Sequence, residues 1–329
     1  MTTKAKSSDS EFETNELRHP QELQEGRVER TTGSFYRVRF QDGSRTECVL
    51  RGKIRLNELD LTNPIAVGDL VRVRREDGIQ VIQDILPREN YIIRRATKST
   101  AKRQILCSNI DQAVIIFTIE KPHTPFGFLD SFLVTAGAYH IPAAVVVNKI
   151  DLLRQSKQHK LDEFLEVYRN LGYRVEALSA NDPDSISIAQ DLLSGKKSFL
   201  TGRSGSGKST FVNLADPNLN LKTAEVSKTH RYGRHTTTFA EMFELEAGGW
   251  VIDAPGVREF HLTDLELSEV AHYFPEMLDK LSECRFHNCL HVNEPDCAVL
   301  EGIESGEISE TRYMSYLYML EELKSHQEY

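Results

Sequence analysis

The chain has 329 residues, 40% hydrophobic and 27% charged, with a formal net charge of −9. No apolar run approaches the about 20 residues of a membrane span, and the polar N-terminus lacks the apolar core of a secretory signal, so membrane and secreted classes are set aside. Five cysteines, three of them bunched near the C-terminus, suggest a reducing, cytoplasmic compartment and a metal site rather than a disulfide framework.

This length suggests two or three domains. Charge is unevenly spread over them: residues 1–25 are net −3, residues 26–110 net +7 and residues 111–329 net −13. A basic module on an acidic body is either a footprint for nucleic acid or a solvated basic face, and charge alone does not choose between them.

Residues 1–25 are rich in Ser, Thr, Glu and Lys and have almost no apolar side chains, so a disordered tail is expected. Residues 26–95 read as an all-β domain. Tyr36, Val38 and Phe40 alternate with Arg37 and Arg39, the period of a half-buried strand, and Asp42-Gly43 and Asp77-Gly78 are hairpin turns. Four or five short strands suit a small OB-fold barrel. Such a barrel either binds RNA or only packs on its neighbour. Residues 93–104 hold Arg94, Arg95, Lys98, Lys102 and Arg103 without an acid, a connector that either extends the basic surface or is a solvated linker.

Residues 96–262 are expected to form an α/β domain. Apolar strand runs at Ala113–Ile119, Ala143–Val147 and Arg174–Leu178 alternate with helical patterns over 128–139 and 160–171, the signature of a mostly parallel sheet covered on both faces. Motifs sit where these strands end. Asn148-Lys149-Ile150-Asp151 follows the second strand. Guanine presents N1–H and its exocyclic amine side by side, a pair that the Asp151 carboxylate can accept as a fork; adenine would leave that carboxylate unpaired. Asn148 and the Lys149 stem would brace the base and nearby loops. Ser179-Ala180 follows the third strand, where a backbone N–H can meet guanine O6.

Residues 202–210 read Gly202, Arg203, Ser204, Gly205, Ser206, Gly207, Lys208, Ser209 and Thr210, matching the phosphate-binding pattern G-x-x-x-x-G-K-S/T between a strand at 198–200 and a helix continuing through Phe211–Leu214. Backbone N–H groups would curl around a triphosphate, Lys208 would reach its β and γ phosphates, and the Ser209 hydroxyl would bind Mg²⁺. Next comes Gly233-Arg234-His235-Thr236-Thr237-Thr238, where a switch threonine must reach Mg²⁺; Thr237 is favoured, with Thr236 and Thr238 as alternates. Asp253-Ala254-Pro255-Gly256 follows the strand at 250–252; Asp253 would hold a Mg²⁺-bound water and the Gly256 N–H would reach the γ-phosphate.

In ordinary GTPases the phosphate loop precedes N-K-x-D; here it follows. All the motifs lie at one edge of the sheet, so rejoining the termini elsewhere preserves the site, and the chain reads as a circularly permuted GTPase. Val257 stands where regulatory GTPases have a water-orienting glutamine and cannot hydrogen-bond. His235, beside the switch threonine, is the candidate to orient water or accept its proton; an exposed loop histidine or a partner contact is the alternative.

Residues 263–329 are expected to be a helical zinc-binding domain. Cys284, Cys289, His291 and Cys297 fall within 14 residues, a closed tetrahedral set for one structural Zn²⁺. A helix over 307–325 would carry Tyr313, Leu317, Leu320 and Leu323 on one side against that module.

Taken together, these motifs resemble the circularly permuted, small-subunit-dependent ribosome biogenesis GTPases of bacteria (RsgA/YjeQ-like), with an N-terminal OB barrel and a C-terminal zinc domain. The His-Thr-Thr-Thr string and the zinc spacing are the specific parts, and the match spans about residues 26–325. The resemblance implies GTP and GDP as ligands, late maturation of the 30S subunit, 16S rRNA contacts through barrel and zinc domain, hydrolysis stimulated by the subunit, and His235 as catalytic histidine with Lys208 and Thr237. A monomer is expected. Two other readings stand beside it: a permuted GTPase acting on the large subunit or another RNA, and a slow nucleotide-switched binding module, which Val257 permits.

Overall fold

A computed structural model of the chain describes residues 23–50, 63–95, 103–221, 240–253 and 265–327. The expected tail, Lys98 and Lys102 of the connector, the stretch Gly233–Thr238 with His235 and Thr237, and Gly256 and Val257 lie outside the described residues, apart from the last few positions of the tail.

Five strands build the N-terminal barrel: β1 (Gln24–Thr31), β2 (Tyr36–Phe40), β3 (Arg45–Leu50), β4 (Leu70–Glu76) and β5 (Ile79–Ile85). The order β1-β2-β3-β5-β4 closes through β4 on β1, with β3 parallel to β5 and the other pairs antiparallel. This is the OB arrangement that the alternation suggested. Inward positions Val28, Tyr36, Val38, Cys48, Val71, Val73 and Ile82 fill the barrel with Ile65. Both residues of the Asp77-Gly78 turn have positive φ, at 47° and 84°, as a tight hairpin between right-twisted strands requires.

A two-stranded hairpin, β6 (Tyr91–Arg95) and β7 (Arg103–Ser108), follows. So the basic connector is itself partly paired strand, with Arg94 and Arg95 in β6 and Arg103 in β7. Asp69, fully buried, clips the barrel to this hairpin: it accepts two bonds from the Arg88 guanidinium, both 2.7 Å, one from Ser108 Oγ at 2.6 Å and one from the Ala66 N–H at 2.8 Å. Gly68 beside it is obligatory, since a Cβ there would lie 2.0 Å from the Ser108 carbonyl oxygen.

The central sheet contains β8 (Gln112–Phe117), β9 (Ala143–Asn148), β10 (Arg174–Leu178), β11 (Lys197–Thr201), β12 (Glu241–Glu244) and β13 (Trp250–Asp253). Its order is β10-β9-β8-β11-β13-β12, parallel except for β12. Helices α1 (Phe126–Ala138) and α2 (Gln158–Asn170) cover one face through Leu129, Phe132, Leu133, Leu161 and Phe164. On the other face, α3 (Asp184–Leu193) and α4 (Lys208–Ala215) contribute Ala189, Leu192, Phe211 and Val212. The chain runs outward through β8, β9 and β10, then returns to place β11 beside β8. That reversal puts a crevice between the carboxyl ends of β8 and β11, where open α/β sheets bind ligands.

Barrel and sheet touch along β1 and β12, paired at Arg30 and Glu241. Arg39 reaches Glu244 at 2.6 Å and stacks over Trp250, and Arg45 bridges Glu29 and Glu244 at 2.8 and 3.1 Å. Part of the barrel's positive charge is therefore neutralised by the chain's own acids.

The C-terminal part joins a seven-residue 3₁₀ turn (Leu267–Tyr273) to α5 (Pro275–Leu278), α6 (Ala298–Glu304) and α7 (Glu310–Gln327). The expected final helix is thus present, beginning at Glu310 rather than 307, and its buried stripe also takes in Tyr316 and Met319. Arg312 of α7 is fully buried. It meets Asp130 of α1 at 2.5 Å and Glu276 at 2.7 Å, and lies over the rings of Phe274 and Tyr168. The Tyr168 hydroxyl donates to the same Asp130 oxygen that receives Arg312. A charge taken this far out of water needs both carboxylates. Replacing Asp130 with Ala is expected to lower the melting temperature by about 5–10 °C. Thermal melting followed by circular dichroism checks this, and a shift under about 2 °C would show that Glu276 alone satisfies Arg312.

Candidate functional site

The site is assembled from the carboxyl ends of β9, β10, β11 and β13. After β11 the chain turns through Gly202, φ 146°, and Gly207, φ 98°, before α4 begins at Lys208. A Cβ on Gly202 would meet the Ile116 carbonyl oxygen at 2.5 Å, and one on Gly207 would meet Asn148 Nδ2 at 2.3 Å. Both glycines are thus required by close approach as well as by backbone conformation. The loop wraps the N-terminal end of α4, where unpaired backbone N–H groups and the helix dipole favour an anion.

Lys208 arches back over the loop, donating to the Gly202 carbonyl at 2.7 Å. Burial lowers its pKa from the ordinary lysine value, and Asp253 at the end of β13 opposes that shift. Burial likewise raises the Asp253 carboxyl, opposed by Lys208. The two charges sense each other across the crevice. Ser206 is fully buried, while Ser209 and Thr210 are half-exposed in the first turn of α4. The Arg203 guanidinium donates to the His123 carbonyl at 2.9 Å, tying the exposed part of the loop to the segment between β8 and α1.

The N-K-x-D residues reach the same loop from β9. Asn148 Nδ2 donates to the Ser206 carbonyl at 2.9 Å, and its Oδ1 accepts the Lys149 N–H. Lys149, in the left-handed region at φ 62°, sends its ammonium to the Gly205 carbonyl at 2.7 Å and the Lys121 carbonyl at 3.2 Å. Asp151 is exposed at the mouth. Ser179 Oγ donates to its Oδ1 at 2.6 Å, and Asn181 Nδ2 donates to its Oδ2 at 2.8 Å. Ala180 is exposed beside them. A carboxylate held this way can present two acceptor oxygens to a base edge. Sequence reading missed Asn181; its one signal is its place directly after Ser-Ala.

Cys284, Cys289, His291 and Cys297 come together as the spacing suggested, their ligand atoms within 4.8 Å of one another. Sγ of Cys297 lies 3.6 Å from that of Cys289 and 4.0 Å from that of Cys284, and His291 Nδ1 is 3.3 Å from Cys297 Sγ. A tetrahedral ion with bonds near 2.3 Å to sulfur needs edges of about 3.8 Å, so the set fits a metal such as zinc. Burial pushes the Cys289 thiol up to about 12, so thiolates would gather here only around a cation. Glu294 shapes the ligand loop: burial works against its charge, yet the N–H groups of Leu290, Val292 and Asn293 hold it down to about 2. Hydroxyls of Tyr313 and Tyr316 fasten α7 to the carbonyls of His291 and Leu290, both at 2.8 Å.

Comparison with known proteins agrees with this geometry. The family model described as RsgA GTPase matches residues 85–263, and that of the RsgA N-terminal domain matches residues 25–80. The chain belongs to the RsgA GTPase family. It is 42% identical over 301 residues to the small ribosomal subunit biogenesis GTPase RsgA of Christiangramia forsetii, covering 90% of this chain and 96% of that one. Identity to the same-named protein of Phocaeicola vulgatus is 43% over 299 residues, with the same coverage. Among solved structures, YjeQ from Thermotoga maritima superposes with TM-score 0.72 at 33% identity, covering 92% of this chain and 98% of that chain. YloQ, described as a circularly permuted GTPase, gives TM-score 0.70 at 30% identity, covering 94% and 97%. As an RsgA GTPase, the chain is a GTP hydrolase with a permuted order of motifs, as the resemblance implied. No described helix is long and apolar enough to cross a membrane.

Gly207→Ala is expected to weaken GTP binding at least tenfold, because the new methyl would displace Asn148 from the loop. Titration with a fluorescent GTP analogue checks this, with circular dichroism confirming the fold; wild-type affinity would contradict the packing argument.

Proposed function

We propose that this RsgA GTPase binds the small ribosomal subunit, assists its late maturation, and hydrolyses GTP to GDP and phosphate under stimulation by that subunit. One observation carries the reading: N-K-x-D, Ser-Ala and the phosphate loop converge on one crevice in a chain about 42% identical, over 90% of its length, to a protein named for small-subunit biogenesis.

In this reading Asp151 accepts the guanine edge, Ser179 and Ala180 flank the base, and Asn148 and Lys149 hold the phosphate loop against it. Residues Gly202–Thr210 receive the triphosphate on backbone N–H groups, with Lys208 exchanging its loop carbonyl for phosphate oxygens. Ser209 and Thr237 would ligate Mg²⁺, with Asp253 holding one of its waters; the ion, when bound, neutralises phosphate charge. His235 orients the attacking water or accepts its proton at an imidazole nitrogen, since Val257 cannot. Gly256 N–H meets the γ-phosphate. Because the permuted chain leads from Asp253-Ala254-Pro255-Gly256 straight towards the C-terminal helices, nucleotide state would bias that domain.

The proposed division is a disordered tail over 1–25, an RNA-binding OB domain over 26–95, the GTPase domain over 96–262 and a zinc domain over 263–329. Zn²⁺ on Cys284, Cys289, His291 and Cys297 would be structural, because four protein ligands leave no open position. The protein would act as a cytoplasmic monomer that contacts 16S rRNA through the barrel and zinc domain.

GTP hydrolysis measured with purified 30S or 50S subunits tests this. At least tenfold stimulation by 30S alone is expected. Stimulation by 50S, or by neither, would overturn the proposed partner and leave the GTPase assignment standing.

A further inference from the structure

Four arginines share the outer face of the barrel, and strand register sets them in two facing pairs. Arg30 of β1 lies directly opposite Arg37 of β2, and Arg39 of β2 directly opposite Arg45 of β3. Like charges placed opposite each other across strands repel. The barrel itself supplies two carboxylates against them. Glu47 meets Arg37 at 3.0 Å; Glu29 meets Arg45 at 2.8 Å and lies 3.9 Å from Arg39. Four cations and two anions leave two positive charges. Strand β12 of the central sheet brings two more carboxylates, one to each arginine pair. Glu241 lies 3.7 Å from Arg30 and 3.9 Å from Arg37, and Glu244 lies 2.6 Å from Arg39 and 3.1 Å from Arg45. Each is an anion held between two guanidinium groups, an arrangement that suits phosphate equally well. All four arginine side chains are partly exposed, so an outside anion can reach them.

We propose that this face is an RNA phosphate-binding surface on which Glu241 and Glu244 stand in for two phosphates until RNA displaces them. This rests on the reading that the barrel contacts RNA. OB barrels receive oligonucleotides on the face of their second and third strands, where three of the four arginines stand. The two pairs lie about 7 Å apart along β2, so neighbouring phosphates of an extended strand can reach one each. In the exchange each arginine gives up a carboxylate and gains a phosphate oxygen, while counterions leave the RNA. The internal carboxylates compete with RNA, so the free protein holds a short RNA more weakly than the bare arginines would. The exchange also frees β12 from the barrel at both its ends, Glu241 and Glu244.

Fluorescence anisotropy of a labelled polyuridine RNA of about 16 nucleotides, enough to cover one barrel, tests this on the full chain. The proteins are wild type, Glu244→Gln, Glu246→Gln, and Arg30→Gln combined with Arg37→Gln. Glu246 is the matched control: it is exposed on the same segment but accepts from the Asn218 side chain, at 2.5 Å. Glu244→Gln should tighten RNA binding about three- to tenfold, while Glu246→Gln, which removes the same charge, should stay within about twofold of wild type. Equal tightening by both would mean that net charge alone acts. No tightening by Glu244→Gln would mean that its carboxylate does not compete. Either result overturns the proposal. The double arginine variant tests the reading beneath it, and should weaken RNA binding at least about threefold. If it does so while Glu244→Gln changes nothing, the barrel still contacts RNA and only the part given to the glutamates falls. If it leaves affinity unchanged, or if the wild type binds no RNA, this face takes no RNA and the proposal falls with that reading.

Discussion

Hydrogen bonds from the end of β9 to the loop after β11 set the spacing on which the site depends. Asn148 reaches the Ser206 carbonyl and Lys149 the Gly205 carbonyl, across 58 and 56 residues of sequence. They join the side of the crevice that would read a base to the side that would hold phosphates. Neither bond depends on which segment comes first along the chain. What matters is that β9 and β11 flank β8 in one parallel sheet, so both motifs open at the same edge. Circular permutation leaves such a site intact because strand neighbours, not chain order, fix the distances. The cost is local and visible: Gly207 must lack a Cβ for Asn148 to come so close.

The two flanking domains are attached to this sheet by charges of very different character. Arg312 is wholly buried between Asp130 and Glu276, so breaking that contact would strand an ion in an apolar interior, and the C-terminal helices are held against α1 as one body. Arg39, Arg45 and Glu244 at the barrel contact are partly exposed, where each pair contributes at most about 1 kcal/mol and salt screens it. The barrel contact is thus the softer of the two. It bears on β12 and β13, the strands that lie in sequence between Gly233–Thr238 and Asp253–Gly256.

Much of this was legible in the sequence, for local reasons. Alternation at Tyr36, Val38 and Phe40, the Asp-Gly turns and the apolar runs of β8 and β9 are signals within a few residues, and each became the expected strand or turn. The cysteine and histidine ligands were legible because their spacing is itself the constraint. The unread parts depend on distant partners. Arg312 looks like a solvated helix residue until Asp130, 182 positions away, is placed beside it. The Arg203 guanidinium turns to a carbonyl 80 positions away, and the β6–β7 hairpin is interrupted by a register shift at Ile92 and Ile93 that blurs its period. The barrel's basic excess was correctly counted, but its pairing with Glu241 and Glu244 depends on a domain contact that no local pattern encodes.

Asn148 and Lys149 at the end of β9 physically hold the loop after β11 in shape. The direct measurement is the affinity of Asn148→Ala for GTP and GDP, with the melting temperature recorded on the same sample. Loss of the Asn148–Ser206 bond should weaken both nucleotides by at least about tenfold while a single cooperative melt persists. Wild-type affinity for both would mean that the loop keeps its shape unaided, and the account of the site given by its cross-strand hydrogen bonds would be wrong.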